Sequence, residues 1–183
     1  MKDGANIDVD AERTLAAWRE QETELRARSP GHGVARPEQF AGRSGIEVFD
    51  AMLAGELPRA PISETLDFLL VEASPGRAVF QGRPLARHYN PLGIVPGGWT
   101  ATLLDSAVGC AVHSLLPAGK SYTTLELKVN FVKALSERVP LVRAIGEVIH
   151  SGGRIGTSHG RLVGPDGTLY AHASTTCLIL DPR

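Results

Sequence analysis

GGWTATLLDSAVGCAVHSLL, residues 97–116, is the stretch that decides the fold. Its apolar residues, Trp99, Ala101, Leu103, Leu104, Ala107, Val108, Cys110, Ala111, Val112, Leu115 and Leu116, recur at helical spacing and fall on every face. A helix that is apolar all round is a buried one. Pro96 stands where a helix begins, and Pro117 and Gly119 close it. Downstream the period changes to two: Thr124, Glu126, Lys128 and Asn130 alternate with Leu125, Leu127, Val129 and Phe131. Residues 139–149, 154–163 and 168–180 read as further strands, separated by Ser151-Gly152-Gly153 and by Gly164-Pro165-Asp166-Gly167. Short turns make neighbouring strands antiparallel, so a four-strand meander is expected after the helix.

Upstream, residues 65–73 and 77–82 flank Ser74-Pro75-Gly76 as strand, turn and strand. Before them, Ser44 and Glu47 have capping-box spacing, Ile46, Phe49, Met52 and Leu53 share one helix face, and Gly55 and Pro58 mark its end. The expected class is α+β: one long helix wrapped by one curved antiparallel sheet. Charge density divides the chain, since twelve of the first thirty residues are charged against twenty-seven in the remaining 153. Leu15, Trp18 and Leu25 give this arm a thin apolar stripe, and Ser29-Pro30-Gly31-His32-Gly33 breaks any helix. Residues 1–43 are therefore read as a helical or partly disordered arm, and residues 44–183 as the domain.

Composition narrows the function. A net charge of −1 gives no basic surface for nucleic acid and no electrostatic pull towards an anionic membrane. No apolar run reaches the ~18 residues of a spanning helix, and the polar start MKDGANIDVD is unlike a signal peptide, so a cytoplasmic location is expected. Cys110 and Cys177 lack C-x-x-C spacing and read as two reduced, buried thiols. His113, His159 and His172 read as core or edge histidines without a second ligand at metal spacing, and no metal is expected.

One carboxylate is out of place. Asp105 is the only charged residue in 97–116, with Leu104, Ala107, Ala101 and Val108 around it. A buried carboxylate must be paired, shifted in pKa or put to use. The alternative is a capping or salt-bridged Asp at a gap in the packing. Gly97 and Gly98 add a second feature, because free amides at a helix start, reinforced by the dipole, can bind a developing oxyanion. Eight residues separate Gly97 from Asp105, ~12 Å along a helix axis. One carbonyl cannot reach both within one chain, so a shared substrate implies a site across a two-fold interface.

The run His88-Tyr89-Asn90-Pro91-Leu92-Gly93, then Gly97-Gly98, then Leu104-Asp105-Ser106-Ala107, followed by TTLELKVNF at residues 123–131, resembles the hotdog-fold acyl-CoA thioesterases. The phenylacetate-degradation and hydroxybenzoyl-CoA branch is the most similar. The likeness covers about residues 60–180 and includes the Asp166-Gly167 hairpin. It implies that Asp105 attacks the thioester or activates water and that the Gly97 amide of a neighbouring subunit binds the oxyanion. It implies that Asn90 orients the thioester or the water, and that Thr124 holds the water or Asp105. Gly98 and Phe131 would lie at the substrate, and Ser151, Gly152, Gly153 and Arg154 would meet the CoA phosphate or pantetheine arm. A solvated turn arginine is the plain alternative for Arg154. The implied partners are an acyl-CoA substrate and other copies of the chain, as a dimer or dimer of dimers, with no cofactor beyond the substrate's own coenzyme A. The chain departs from the family pattern at Pro96, where the family usually has His. Two rival expectations are a hotdog hydratase or dehydratase and a non-catalytic acyl-CoA-binding protein.

Overall fold

The computed structural model describes residues 4–181, and side chains from residue 10 onward. The ends of the chain at residues 1–3 and 182–183, which include the start of the charged arm, lie outside the described residues. In chain order the elements are α1 (Gly4–Arg28), α2 (Pro37–Phe40), α3 (Gly45–Ala54), α4 (Pro61–Leu66), β1 (Phe68–Ser74), β2 (Arg77–Gly82), a 3-10 turn (Ala86–His88), α5 (Gly97–His113), β3 (Ser121–Phe131), β4 (Val142–Ser151), β5 (Ile155–Val163) and β6 (Leu169–Leu180). All six strands form one antiparallel sheet in the order β1-β2-β4-β5-β6-β3. The sheet wraps α5, which is the hotdog arrangement expected from the sequence.

Packing explains why the helix sits where it does. Leu103, Leu104, Ala107, Val108, Ala111 and Val112 are fully buried against the concave face. Gly146 on β4 pairs with Gly160 on β5, leaving a bare patch in the sheet. A side chain at Gly146 would run into the Ala107 carbonyl, and a Cβ at Gly160 would stand 2.6 Å from Val108 Cγ1. The two glycines thus let the helix backbone touch the sheet. At its other end α5 is braced by α3: Gly45 N–H donates to Leu116 O at 2.9 Å, and the Phe49 ring packs on His113. The capping box of α3 is formed, with Ser44 N–H donating to Glu47 Oε2 at 2.7 Å.

Four expectations need correction. The strands after α5 are not a four-strand meander. Only β4, β5 and β6 are; β3 pairs with β6 alone and forms the sheet edge, because residues 132–141 carry the chain across the helix end to β2. The first strand starts at Phe68 rather than Thr65, because Pro61 opens the short α4, which runs to Leu66 and stops at Asp67 with φ +51°. The long helix ends at His113, three residues short, where Ser114 N–H and Leu116 N–H turn back onto Cys110 O and His113 O. Nor is it buried all round. Gly98 is exposed and Ala101, Thr102, Asp105 and Ser106 are half-buried, a stripe at positions i, i+3, i+4, i+7 and i+8.

The outer face of the sheet is covered by α1. Leu25 packs against Leu69, Val71 and Val79, with Ile145 beside them. A polar cluster fixes the helix in register. Arg143, 7% exposed, donates to Gln81 Oε1 (3.0 Å), Glu72 Oε1 (2.7 Å) and Gln21 Oε1 (2.6 Å), and its guanidinium lies 4.5 Å from the Trp18 ring centroid. Buried Glu22 accepts from Arg26 Nε (2.7 Å) and Gln81 Nε2 (2.9 Å).

Candidate active site

Asp105 stands on the open stripe of α5, and its Oδ1 accepts a hydrogen bond from Thr124 Oγ1 at 3.1 Å. A β-bulge makes this contact. The register between β3 and β6 skips at Leu125, since Thr124 pairs with Cys177 and Glu126 with Thr176. The extra residue switches the phase of the alternation. Thr124 and Tyr122 before the bulge, and Leu127 and Val129 after it, all turn towards the helix, while Leu125 is left 57% exposed. The plain alternation read from the sequence is therefore corrected: Thr124 is not on the face of Glu126 and Lys128, and Leu125 is not inward. Phe131, though 58% exposed, keeps the helix side of the strand and lies over Gly97. Asp105 is half-buried rather than sunk in the core, a consequence of the open stripe.

Behind the carboxylate lie two thiols. Burial pushes the Cys110 thiol up to about 12, with the Asp105 charge acting in the same direction. The Tyr122 hydroxyl, 3.9 Å from Cys110 Sγ, is also raised by burial. Burial raises the Cys177 thiol as well. Both cysteines are free. At about pH 8 neither carries appreciable thiolate, the form that reacts. Native protein is therefore expected to leave a thiol reagent untouched over minutes and to titrate both thiols in urea. Rapid reaction of one thiol in the native protein would contradict this burial.

Gly97 and Gly98 form the first turn of α5, with Pro96 as N-cap at φ −69° and ψ 153°. Amides of a first helical turn have no carbonyl one turn back, and among the described residues neither donates to a carbonyl outside the helix. Pro96 takes nothing from them, because the proton it lacks is its own. A Cβ on Gly97 would meet the Phe131 ring at 2.7 Å, so glycine is needed for that ring to lie over the helix start. Gly97 and Phe131 line a hollow of about 360 Å3 with Val95, Lys133 and Tyr170.

The other expected residues fall in different places. Asn90 Oδ1 accepts from Leu92 N–H (3.0 Å) and Ile94 N–H (3.2 Å), closing its own loop and leaving only its NH2 for a substrate. Ser151, Gly152, Gly153 and Arg154 form the exposed β4–β5 turn, whose Arg154 O accepts from Ile179 N–H at 2.8 Å. Ile155 pairs with Leu178, and Leu178 with Thr123, so this turn is at the Ser121 end of β3. Gly97 is at the Phe131 end. One chain therefore brings Asp105 and Thr124 together but keeps Gly97 about 12 Å along the helix and the turn at the opposite end.

One residue escaped the sequence reading. His88, in the 3-10 turn, stacks on Trp99 with ring centroids 5.6 Å apart and lines a second hollow beside Gly98. Eight residues separate His88 from Pro96, and only the fold of the Asn90 loop closes that gap. Among the described residues no three His, Cys, Asp or Glu side chains cluster as a metal site needs, and no helix is long and apolar enough to cross a membrane.

Comparison with known proteins bears on the fold. The thioesterase superfamily sequence profile matches residues 92–171, from the loop before α5 into β6. No curated protein matches the chain. Among solved structures, the fold is similar to a phenylacetic acid degradation-related protein of Ralstonia eutropha JMP134, with 28% identity over 71% of this chain and 98% of that one and a TM-score of 0.65. It is similar to a thioesterase family protein of Silicibacter pomeroyi, with 25% identity over 66% and 90% and a TM-score of 0.61. A thioesterase protein of Streptococcus pneumoniae TIGR4, solved with coenzyme A, shares the fold at 23% identity over 63% and 88% with a TM-score of 0.57. The resemblance read from the sequence is thus found again both in this segment and in the fold.

Proposed function

We propose that the chain is an acyl-CoA thioesterase that works as a homodimer, each site joining Asp105 of one copy to the Gly97 amide of another. The observation that carries the reading is Asp105, held by Thr124 on an otherwise uncharged, open stripe of the central helix. Edge strand β3 supports the dimer. It has an unpaired side, with Leu125 and Phe131 exposed along it, and such an edge is a template for pairing. Antiparallel pairing about a two-fold axis between Leu127 and Lys128 sets Thr124 opposite Phe131 of the second copy. Because Gly97 lies under Phe131, the same operation brings the second copy's helix start towards Asp105. The 151–154 turn comes to the same end, where it can meet the coenzyme A portion. A further pairing of dimers is compatible with this arrangement.

In the proposed reaction the thioester carbonyl oxygen rests on the second copy's Gly97 amide, with Gly98 beside it and the dipole of α5 behind. Asp105 then attacks the carbonyl carbon or takes a proton from water that does so, and Thr124 fixes the carboxylate for either route. The Asn90 NH2 orients the thioester or the water. The tetrahedral oxyanion collapses, the C–S bond breaks and coenzyme A thiolate leaves. Where water attacked, the acid is the other product. Where Asp105 attacked, the acyl group remains on Asp105 as a mixed anhydride that a water then hydrolyses to release the acid and restore the carboxylate. Thiolate is a good leaving group, so a placed carboxylate and an oxyanion hole suffice.

Wild-type protein offered aromatic, short-chain and long-chain CoA esters is expected to release thiol from at least one class at an enzyme-dependent rate. Tight ester binding without thiol release from any class would contradict catalysis and leave an acyl-CoA-binding protein. A second reading, hydration of an enoyl-CoA, gains one observation from the position of His88 beside Gly98. Loss of enoyl absorbance without thiol release would favour it.

A further inference from the structure

Two hollows flank the start of α5. The one against Gly97, Phe131 and Lys133 lies on the β3 side. The other, of about 420 Å3, lies on the β1 side, lined by Leu66, Arg87, His88, Pro96, Trp99 and Thr102. Its floor is apolar and fixed: Trp99 is buried, its Nε1 donates to Leu66 O at 2.9 Å, and the His88 ring lies flat against it. Its rim carries no carboxylate but does carry Arg87. Arg87 Nη2 stands 3.4 Å from Asp67 Oδ2, while Arg26 holds Asp67 Oδ1 at 2.7 Å. Arg26 also pairs with Glu22 at 2.7 Å, and Arg83 reaches Glu22 at 3.3 Å. Three guanidiniums thus share two carboxylates and one positive charge is left over, with Arg87 at the rim of the hollow. Burial, and then the Arg87 charge, hold His88 below the usual histidine range, so it adds no second charge, and its ring nitrogens already face Leu85 N–H at 3.3 Å and Arg87 Nε at 3.4 Å.

Gly97 borders the first hollow and Gly98 the second. A carbonyl resting on the Gly97 amide therefore sends its two arms to opposite sides. The β3 side carries Lys133 and, in the dimer proposed above, faces the 151–154 turn of the other copy, a cationic path for the phosphates of coenzyme A. The acyl arm is left with the β1 side. We infer that the hollow between α4, the 3-10 turn and α5 takes the acyl group, and that Arg87 selects acyl groups ending in a carboxylate: CoA monothioesters of dicarboxylic acids. This assignment rests on the thioesterase reading. An arginine fork pairs with a carboxylate through two parallel hydrogen bonds, and a site built to make them discriminates against the analogue that cannot.

Asp105→Asn protein lets binding be measured without turnover. Calorimetry would compare each dicarboxylic monothioester of four to eight carbons with the monocarboxylic ester of equal length. At one or more lengths the diacid ester is expected to bind about tenfold more tightly. Adding Arg87→Gln should abolish that preference by weakening the diacid ester alone, and Arg87→Lys should keep part of it. Equal binding at every length, a preference for the neutral esters, or equal weakening of both by Arg87→Gln would overturn the assignment. If the binding preference holds while wild-type protein hydrolyses no ester, the site stands and the hydrolysis falls. Hydrolysis without the preference does the reverse.

Discussion

Asp105→Asn is expected to keep its fold and to lose thioester turnover by about a thousandfold or more, within the range that a general base or nucleophile supplies. Asparagine has the shape of aspartate, and its side-chain oxygen can still accept the Thr124 hydroxyl proton, so the 3.1 Å contact that ties α5 to β3 survives. What disappears is the negative charge and the lone pair basic enough to attack carbon or deprotonate water. No other carboxylate lies within residues 97–116 to replace it. Thermal unfolding within a few degrees of wild type would confirm an intact fold, and thiol release measured on the same sample would give kcat. A kcat within about tenfold of wild type would remove Asp105 from the chemistry.

Arg143→Ala is expected to cost about 3–5 kcal/mol of unfolding free energy, the range for breaking a buried charge cluster by removing one partner. Its guanidinium joins α1 to the outer sheet face through Gln21, Glu72 and Gln81, and packs on Trp18. Alanine would leave those acceptors facing a void. Arg143→Met, which restores much of the volume, should cost less, because packing on Trp18 is partly recovered. Urea unfolding of both variants measures the difference, and a loss below about 1 kcal/mol for Arg143→Ala would mean that α1 is held by other contacts. Arg143 faces away from the open stripe of α5, so folded variant protein should retain wild-type kcat.

The central helix was legible because a run such as Trp99, Leu103, Leu104, Ala107, Val108, Ala111 and Val112 repeats at 3.6 residues, and the sheet because its strands alternate. The open stripe was not. Gly98, Ala101 and Ser106 are small residues that suit a core as well as a surface, and only the gap between β1 and β3 reveals which they are. Asp105 stood out as the one charge in that run, yet its partnership with Thr124 depends on a bulge that leaves no mark in the alternation. The place of β3 at the sheet edge could not be read either, since short turns constrain β4, β5 and β6 but residues 132–141 are long enough to cross the fold. The docking of α1 was hidden for a different reason. It rests on polar contacts such as Arg143 with Gln21, 122 positions apart, and pairwise polar contacts have no period. His88 was missed because its approach to Gly98 depends on the loop between them.

The two-chain site is tested most directly by mixing two inactive variants. Asp105→Asn lacks the carboxylate, and Gly97→Pro lacks the amide proton at a position where proline suits the helix start. Because any Cβ there displaces the Phe131 ring, Gly97→Ala, which adds the Cβ but keeps the N–H, is the control and is expected to retain activity. Co-expressed, they form mixed dimers in which one site draws Asp105 from the Gly97→Pro copy and Gly97 from the Asp105→Asn copy. Random pairing makes half the dimers mixed with one intact site each, so activity is expected to recover to about a quarter of wild type. Purified mixed dimers that remain as inactive as either parent would mean that no site draws Asp105 from one copy and Gly97 from the other, and would contradict the two-chain site.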